Sequence, residues 1–560
     1  MPFDFFAAKA ARSDAAPAPW RRPFLTWLDG IEQEWGIPLL IVAFAAVWWL
    51  FLVIAYTGAD LHADVLETWS LGRIFAWGNP KHPPLMGWIA RAWSTVFPLT
   101  DWSFQMLAMA NAALALWAVD LISRRFVSGD KRAFVLLLAM LMPVYQFHAQ
   151  RFNANSVQLA IWPLAIYCFL RSFESRRLVW AVLTGIFCAL AMLGKYYSIF
   201  LIASLALAAI CHPQRRRYLL SPAPWVSAAT GFAVLAPHIH WLAMTGAEPF
   251  HYAMQIHGGV AFGRSLEEVC MFVLGLAAAV ALPALVWVLT AGWRLRDVAA
   301  DIRNLDPGLR LLLLILAGTV VFPAIVTVAV GTSMPSMWAL QGLFLIPVLV
   351  VCGASFPIAR FYTVNLTLVV AAFAILAVAI GAPWHAMERN AHRSNDRAFY
   401  RLAALELTRL WHQAVPGPLH SVSGDDALAF ATAFYSPDHP YYRRPFRYQY
   451  TWGMPRVSTL EQGWAAMCFA EDSGCLAWMD RVAEVAPQVV RHEFVLEPVL
   501  WGRPGATARV VALIVPPGPR EEDDDPLSPG VAARPGTEVE TAGGGGDFPA
   551  VAVVRAGQTS

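Results

Sequence analysis

The sequence predicts an α-helical polytopic membrane protein that ends in a small α/β domain. Of its 560 residues, 58% are hydrophobic and only 14% are charged, and the mean hydropathy is +0.49. This composition is too apolar for a soluble globular protein. The 24 tryptophans suit repeated crossings of the membrane interface. The formal net charge of +2 gives no reason to expect a nucleic-acid partner.

Apolar runs long enough to cross the hydrocarbon core of a bilayer recur about eleven times. They cover residues 37–56, 102–122, 133–150, 157–170, 178–194, 197–211, 223–243, 268–291, 310–331, 336–354 and 361–381. Basic clusters occupy alternate gaps between the runs, so the positive-inside rule places those gaps and the N-terminus in the cytoplasm. The C-terminal part is then expected outside. Residues 1–36 show no cleavable signal sequence, and the first run is expected to act as an uncleaved signal.

Composition divides the chain into four parts. They are a cytoplasmic N-terminal segment, a transmembrane domain, an external α/β domain and a disordered tail, at residues 1–36, 37–382, 383–516 and 517–560. Within the external domain we expect helices over 396–413 and 427–435 and a strand over 510–515. Cys468 and Cys475 are expected to form a disulfide there, with two free thiols as the alternative.

The first external loop, residues 57–101, holds the most unusual polar pattern. If 60–75 are helical, Asp60, Asp64 and Glu67 share one helical face at i, i+4 and i+7. A rigid basic turn follows at Pro80-Lys81-His82-Pro83-Pro84. The alternative is a solvated amphipathic helix and an ordinary turn. A divalent cation at the three carboxylates is left open, although the stretch is not a metal signature and no certain cofactor is predicted.

Several motifs resemble those of a known group. Asp64 precedes His82-Pro83-Pro84-Leu85 by about eighteen positions, with Ala76-Trp77-Gly78 between them, and the segments Leu193-Gly-Lys195-Tyr196 and Pro237-His-Ile-His-Trp241 follow. Over roughly residues 37–385 the chain resembles the PMT-type (glycosyltransferase family 39/83, aminoarabinose-transferase-like) branch of the GT-C membrane glycosyltransferases.

The resemblance implies a GT-C fold and a specific reaction. A sugar would move from a polyprenyl-phosphate carrier to a lipid, glycan or protein hydroxyl, on the periplasmic side of a bacterial inner membrane. Two departures stand out. Val65 lies where relatives commonly carry a second acid, which leaves Glu67 or Asp60 as the nearest substitutes. Asn153 and Asn155 lie where many relatives have an acidic residue, and amides cannot act as a base.

The reaction requires a base for the acceptor hydroxyl and cationic groups for the departing phosphate. We expect Asp64 to be the base, with Glu67 as a second catalytic carboxylate. The alternative for Asp64 is an ion pair with Lys81 or Arg73. Lys195 is the phosphate-binding candidate, unless it is a lysine that anchors its helix at the interface. The further substrate-binding candidates are Asp60, Lys81, His82, Asn155 and His240.

Two other classes of protein remain open. A transporter or flippase of a lipid-linked envelope substrate would show repeated halves and polar groups near the bilayer midplane. Instead, the polar residues of this chain concentrate at one face, and the sequence shows no internal duplication. A non-catalytic membrane scaffold would depend on the external domain rather than on the first loop.

Overall fold

The computed structural model describes residues 21–79, 81–292, 294–391, 396–445, 462–485, 488–518 and 552–555. Pro80, most of the predicted N-terminal segment and most of the predicted tail lie outside the described residues. The chain is mainly helical before residue 391 and mixed after it. The predicted fold class, a helical membrane protein with a small C-terminal α/β domain, is confirmed.

Nineteen helices precede the external domain in the described ranges. They are α1 (Arg22–Glu32), α2 (Gly36–Ala55), α3 (Ala63–Gly72), α4 (Leu85–Ser94), α5 (Asp101–Ser123), α6 (Asp130–Met140), α7 (Pro143–Gln146), α8 (Gln158–Ser175), α9 (Leu178–Gly194), α10 (Ile199–Cys211), α11 (Arg215–Leu219), α12 (Ala223–Met244), α13 (Glu248–His257), α14 (Phe262–Ala291), α15 (Leu295–Arg303), α16 (Pro307–Val330), α17 (Leu345–Cys352), α18 (Arg360–Leu376) and α19 (Ala382–Ala391). Single turns of 3-10 helix lie at His148–Gln150, Tyr196–Ser198, Ser336–Trp338 and Leu340–Gly342, and Ala377–Gly381 is a π-helical turn.

Each of the predicted apolar runs coincides with helical structure. In the part of the chain that the structure describes, five helices are long and apolar enough to cross a membrane. They are α2, α5, α14, α16 and the continuous stretch Arg360–Ala391. The pair Asp130–Met140 and Pro143–Gln150, bent by 73°, makes a sixth if it is one span. Apolar helices such as α9 are shorter. The total of about eleven spans therefore stays a prediction.

The segments between the helices contact one another in two groups, one at each end of the helices. At one end, Arg360 pairs with Asp29 at 2.7 Å, and Lys131 donates to the Ala354 carbonyl at 2.7 Å. These contacts join gaps that charge assigns to the cytoplasm. At the other end, the first loop meets the gaps between α7 and α8 and between α9 and α10. This grouping agrees with the alternation expected from the positive-inside rule, and which group faces the cytoplasm stays a prediction.

The external domain is a mixed six-stranded sheet with helices against it. Its helices are Asp396–Ala398 (one 3-10 turn), α20 (Tyr400–Ala414), α21 (Asp426–Tyr435) and α22 (Ser473–Val485). Its strands are β1 (Ser421–Gly424), β2 (Tyr441–Pro445), β3 (Trp464–Phe469), β4 (Val490–Glu497), β5 (Val499–Leu500), β6 (Arg503–Pro504), β7 (Ala508–Val515) and β8 (Ala552–Arg555). The strand order is β2-β1-β3-β7-β4-β8, and β5 and β6 form a separate hairpin.

The sheet combines parallel and antiparallel pairs. β1 is parallel to β2 and β3, whereas β7 lies antiparallel between β3 and β4. The predicted helices and the strand over 510–515 are present. The predicted disulfide between Cys468 and Cys475 is confirmed. Ala552–Arg555 pairs parallel with β4, so the prediction of a disordered tail is wrong for these four residues.

The external domain is fastened to the first loop by aromatic packing and by a charge cluster around the buried Asp60. Phe434 of α21 packs edge-on against Trp69, with ring centroids 5.4 Å apart. Asp60 accepts hydrogen bonds from the Arg401 backbone N–H at 2.8 Å and from Arg401 Nε at 3.3 Å. Arg401 also bonds Asp101, which accepts from the Tyr435 hydroxyl at 2.8 Å. Burial is the largest effect on the pKa of Asp60, and the nearby Asp101 adds to it. Arg401 opposes both, and the pKa is raised to about 7.

This cluster predicts a pH-dependent stability. Because the pKa of Asp60 is higher in the folded protein than its ordinary 3.8, protonation of Asp60 favours folding. Its stabilising effect is complete below the ordinary pKa and is lost as the pH rises through about 7. The variant Asp60→Asn stays neutral at every pH. We expect the difference between its thermal unfolding midpoint and that of the unsubstituted protein to grow in favour of the variant as the pH rises. Tryptophan fluorescence in detergent measures both midpoints.

Asp60→Leu is the matched control, since it also lacks the titrating carboxyl but removes the acceptors of Arg401, and it should be less stable than Asp60→Asn by about 1–3 kcal/mol at every pH. Parallel pH profiles for the unsubstituted protein and Asp60→Asn would contradict the prediction.

Candidate active site

The first loop begins its helix later than the sequence suggests. His62 is the N-cap of α3, and its Nδ1 accepts the Asp64 backbone N–H at 3.2 Å. The prediction of a helix over 60–75 is therefore wrong at its start. With His62 as the N-cap, the first helical residue is Ala63, and Asp60 lies outside the helix. Asp60 points to Arg401 of the external domain, whereas Asp64 and Glu67 remain one helical turn apart. The three predicted carboxylates thus do not share a face.

Glu67 lies inside the protein and is already paired. Its side chain is 6% exposed, and Oε1 lies 2.7 Å from Lys81 Nζ in the turn that follows. Burial raises the pKa of Glu67, while Lys81 opposes the shift. A carboxylate held in this way fixes the turn that carries Lys81 to the helix.

The hairpin that carries these residues is held by a close backbone contact. α3 and α4 approach at Gly72 and Gly87, where a Cβ on Gly72 would lie only 2.1 Å from the Gly87 carbonyl oxygen. Trp88 Nε1 donates to the Ala76 carbonyl at 3.0 Å and fastens the intervening chain. Only glycine permits this approach, so the turn bearing Lys81 and His82 is fixed at both ends.

Asp64, Glu67, Lys81, His82, Asn155 and Lys195 line one cavity of about 480 Å³. Asn153 and residues of α13 and of the chain after α16 complete the wall, among them His257, Ser333 and Trp338. Six of the eight predicted site residues are therefore brought together, although they come from three separate segments of the sequence.

Asp64 is the open carboxylate of this cavity. Its side chain is 43% exposed, and Oδ2 accepts from Asn153 Nδ2 at 3.0 Å. His62 lies 3.6 Å away but forms no ion pair, since its Nδ1 already accepts a backbone N–H. Neither ion pair proposed from the sequence forms. Lys81 binds Glu67, and Arg73 donates to the Pro440 carbonyl at 2.7 Å. Asp64 is thus placed for proton transfer.

Lys195 lies between α9 and α10, and its ammonium group faces the same cavity. It donates to Asn155 Oδ1 and lies 4.0 Å from the centroid of the Trp338 ring. No carboxylate forms an ion pair with it among the described residues. Burial lowers the pKa of Lys195 well below its ordinary value, and Asp64 opposes that shift. A desolvated cation without a carboxylate partner is suited to bind an anion.

Of the two histidines predicted to belong to the site, His82 lines the cavity and His240 does not. His82 lines the cavity, and burial, with Lys81 and Lys195 nearby, lowers its pKa well below the ordinary value. His240 is exposed and does not line the cavity. His238, on the opposite side of the helix, is buried, with Nδ1 2.6 Å from the Trp77 carbonyl and Nε2 3.0 Å from the Tyr196 hydroxyl. The Pro-His-Ile-His motif contained both histidines, and the sequence did not show which one faces inward.

Asp60 belongs to a second cavity of about 840 Å³ between α2, α5 and the external domain. Arg401 engages Asp60, and Lys81 engages Glu67, so these carboxylates and Asp64 do not form a common ligand set. In the described ranges, no group of three His, Cys, Asp or Glu residues is placed to hold a metal ion. The geometry therefore lends no support to a divalent cation at Asp60, Asp64 and Glu67.

Residues 81–241 match a family model described as dolichyl-phosphate-mannose-protein mannosyltransferase. The match begins at Lys81 and covers His82, Asn155 and Lys195, but not Asp64. The lipopolysaccharide core galacturonosyltransferase RgtB of Rhizobium johnstonii is 25% identical over 306 residues, which are 52% of this chain and 60% of RgtB. The chain thus spans less than two thirds of the length of that relative.

The crystal structure of ArnT from Cupriavidus metallidurans bound to undecaprenyl phosphate has a similar fold. Its TM-score is 0.52 at 14% identity, and the match covers 85% of this chain and 98% of ArnT. The apo ArnT structure gives a TM-score of 0.51 at 13% identity, with the same coverage. These similarities confirm the resemblance read from the first loop: the chain has the GT-C fold and resembles the PMT-type, aminoarabinose-transferase-like glycosyltransferases.

Proposed function

We propose that this protein is a glycosyltransferase that moves a sugar from a polyprenyl-phosphate donor to a hydroxyl group of an envelope lipid or glycan. The observation that carries the proposal is the cavity shared by Asp64 and Lys195. It combines an accessible carboxylate with a half-buried cation that has no carboxylate partner among the described residues. A base and an anion-binding group are the two functions that this transfer requires.

In the proposed reaction, Asp64 takes the proton of the acceptor hydroxyl. The acceptor oxygen then forms a bond to the anomeric carbon of the sugar. The bond from that carbon to the phosphate oxygen breaks, and its electron pair leaves with the polyprenyl phosphate. Asn153 holds Asp64 in place by donating to Oδ2 at 3.0 Å, which leaves Oδ1 for the proton.

Negative charge grows on the phosphate as it departs, and Lys195 is the proposed cation for it. Lys81 lies on the same cavity wall, where its pairing with Glu67 sets its position. Trp338 and the residues of α13 give the cavity an apolar side suited to a prenyl chain. The crystal structure of ArnT with undecaprenyl phosphate supports this class of donor.

The acceptor is proposed from chemistry and from the relative. RgtB is named a lipopolysaccharide core galacturonosyltransferase, and we take envelope glycolipid as the acceptor class and a hexuronic acid as the first donor sugar to test. The positive-inside rule supports a site on the periplasmic side of a bacterial inner membrane. Glu67, Asp60 and His240 take no direct part in this proposal.

Asp64→Asn tests the base. We expect the rate of transfer of labelled sugar from polyprenyl phosphate to lipopolysaccharide to fall by about a hundredfold to ten-thousandfold, because an amide cannot accept the proton. The protein should still elute as a folded species in detergent. Glu267→Gln is the control, since Glu267 is exposed and paired with Arg264 outside the cavity, and its rate should be unchanged. Unchanged transfer by folded Asp64→Asn would remove the assignment and return the transporter alternative to consideration.

Lys195→Met tests the phosphate-binding group. We expect the affinity for undecaprenyl phosphate to fall by about tenfold or more, because a charge-assisted contact is lost. The thermal midpoint without ligand should not fall, since the substitution removes a buried cation and keeps an apolar side chain of similar length. If Lys195 were only an interfacial anchor, the thermal midpoint would fall and the affinity would stay.

A further inference from the structure

A buried histidine joins two sides of the donor cavity, the cavity of Asp64 and Lys195, without lining it. His238, in α12, is 3% exposed and is not among the residues of the cavity wall. Its Nδ1 lies 2.6 Å from the Trp77 carbonyl oxygen of the first loop, and its Nε2 lies 3.0 Å from the Tyr196 hydroxyl. Tyr196 does line the cavity, and it directly follows Lys195. One ring therefore links the first loop to the segment of the proposed phosphate-binding lysine.

The partners of the His238 ring fix the roles of its two nitrogens. A carbonyl oxygen only accepts hydrogen bonds, so Nδ1 carries a proton and donates to Trp77. In the neutral ring Nε2 is then an acceptor, and the Tyr196 hydroxyl donates to it. Both nitrogens are thus satisfied by partners from different segments of the chain. A shift of either segment would break one of the two hydrogen bonds, and that loss is costly at a buried site.

Aromatic packing around the histidine makes this link stiff. The His238 ring stacks on the ring of Tyr196 and on that of Trp241 in the same helix, with ring centroids 5.7 and 5.8 Å apart. Trp241 in turn closes on the first loop at Gly78, where a Cβ would overlap its ring. The loop is therefore held against α12 by a close contact as well as by the hydrogen bond to the histidine.

The helix that carries His238 is itself fixed to the helix before Lys195. α12 packs on α9 so closely that a Cβ on Gly185 would overlap the Ser227 carbonyl oxygen. α9 ends directly before Lys195. His238 is therefore part of the frame that holds Lys195, and its hydrogen bond to Trp77 brings the first loop to that frame.

We propose that His238 is a positioning residue for the donor phosphate, which sets the distance between Lys195 and the turn that carries Lys81 and His82. This inference rests on the proposed function, in which Lys195 binds the phosphate and Lys81 lies in the same cavity. Trp77, the partner of Nδ1, lies shortly before that turn in the sequence. The phosphate must meet both segments at once, and a displacement of about 1 Å between groups that act together can cost about a hundredfold in rate. His238 acts through Lys195 and does not itself reach the cavity.

The role is tested by the binding of undecaprenyl phosphate, measured without turnover on the full chain in phosphatidylcholine nanodiscs. In His238→Asn the side-chain amide takes the place of Nδ1, but no group remains at the position of Nε2. We expect this variant to bind undecaprenyl phosphate about tenfold more weakly than the unsubstituted protein. His240→Asn is the matched control, because it makes the same change at an exposed residue of the same helix, and its affinity should be unchanged.

A double-mutant cycle shows whether His238 acts through Lys195. Lys195→Met already lacks the cation, so His238→Asn added to it should weaken binding by less than about twofold further. Tyr196→Phe cuts the same link without changing α12 and should weaken binding as much as His238→Asn does. It carries the test if His238→Asn does not fold.

Three results would overturn the inference. The first is unchanged affinity in folded His238→Asn or Tyr196→Phe with a lowered thermal midpoint, which would make the histidine a purely structural residue. The second is full additivity of the losses caused by His238→Asn and Lys195→Met. The third is an equal loss in His240→Asn, which would assign the effect to a general disturbance of α12.

The test is separable from that of the transferase itself, because it measures donor binding alone. Coupled losses in His238→Asn and Lys195→Met without any Asp64-dependent sugar transfer would contradict the proposed function and support the positioning role. Asp64-dependent transfer with an affinity that does not depend on His238 would do the reverse. Failure of the unsubstituted protein to bind undecaprenyl phosphate would contradict both.

Discussion

The geometry of the candidate site depends on one turn of backbone between α7 and α8. Asn153 Oδ1 accepts the N–H groups of Asn155 and Ser156, at 2.9 and 3.0 Å, and so closes the turn. The other end of the same side chain donates to Asp64, while Asn155 accepts from Lys195. Asn111 of α5 fastens the turn by donating to the Ser156 carbonyl at 2.7 Å. A single local motif therefore sets the separation of a carboxylate and a cation that would otherwise attract each other across the cavity.

The external domain helps to hold this arrangement through contacts on both sides of α3. Arg73, at the end of α3, lies over the rings of Trp69 and Tyr441, at 5.1 and 4.1 Å from their centroids, and donates to the Pro440 carbonyl. Asp60, which precedes the His62 cap at the other end of this helix, is held by Arg401. The helix that carries Asp64 is thus clamped at both ends by one domain, which couples the folding of that domain to the position of the base.

The sequence predicted the parts of the molecule that follow from chain-local physics. The apolar runs, the alternation of basic gaps, the helices and strand of the external domain and the Cys468–Cys475 pairing all depend on composition and compartment. The sequence also indicated six residues that line one cavity, because they lie in the gaps between apolar runs that are expected on the same side of the membrane. The errors concern which way individual side chains point in the folded protein. The role of Asp60 depends on Arg401, more than 300 residues away, and the choice between His238 and His240 depends on the phase of α12 against its neighbours.

The contact between Gly72 and Gly87 has a consequence for the substrates. Because α3 and α4 pack closely at this crossing, the polar turn between them keeps a fixed position relative to both helices. Under the proposed function, donor and acceptor must each bring their reacting atoms to this turn, the donor by the length of its phosphate and sugar and the acceptor by the distance of its hydroxyl from its own lipid anchor. The proposed function then implies that the hairpin selects acceptors by how far their hydroxyl reaches from their own lipid anchor, before any side chain recognises the sugar.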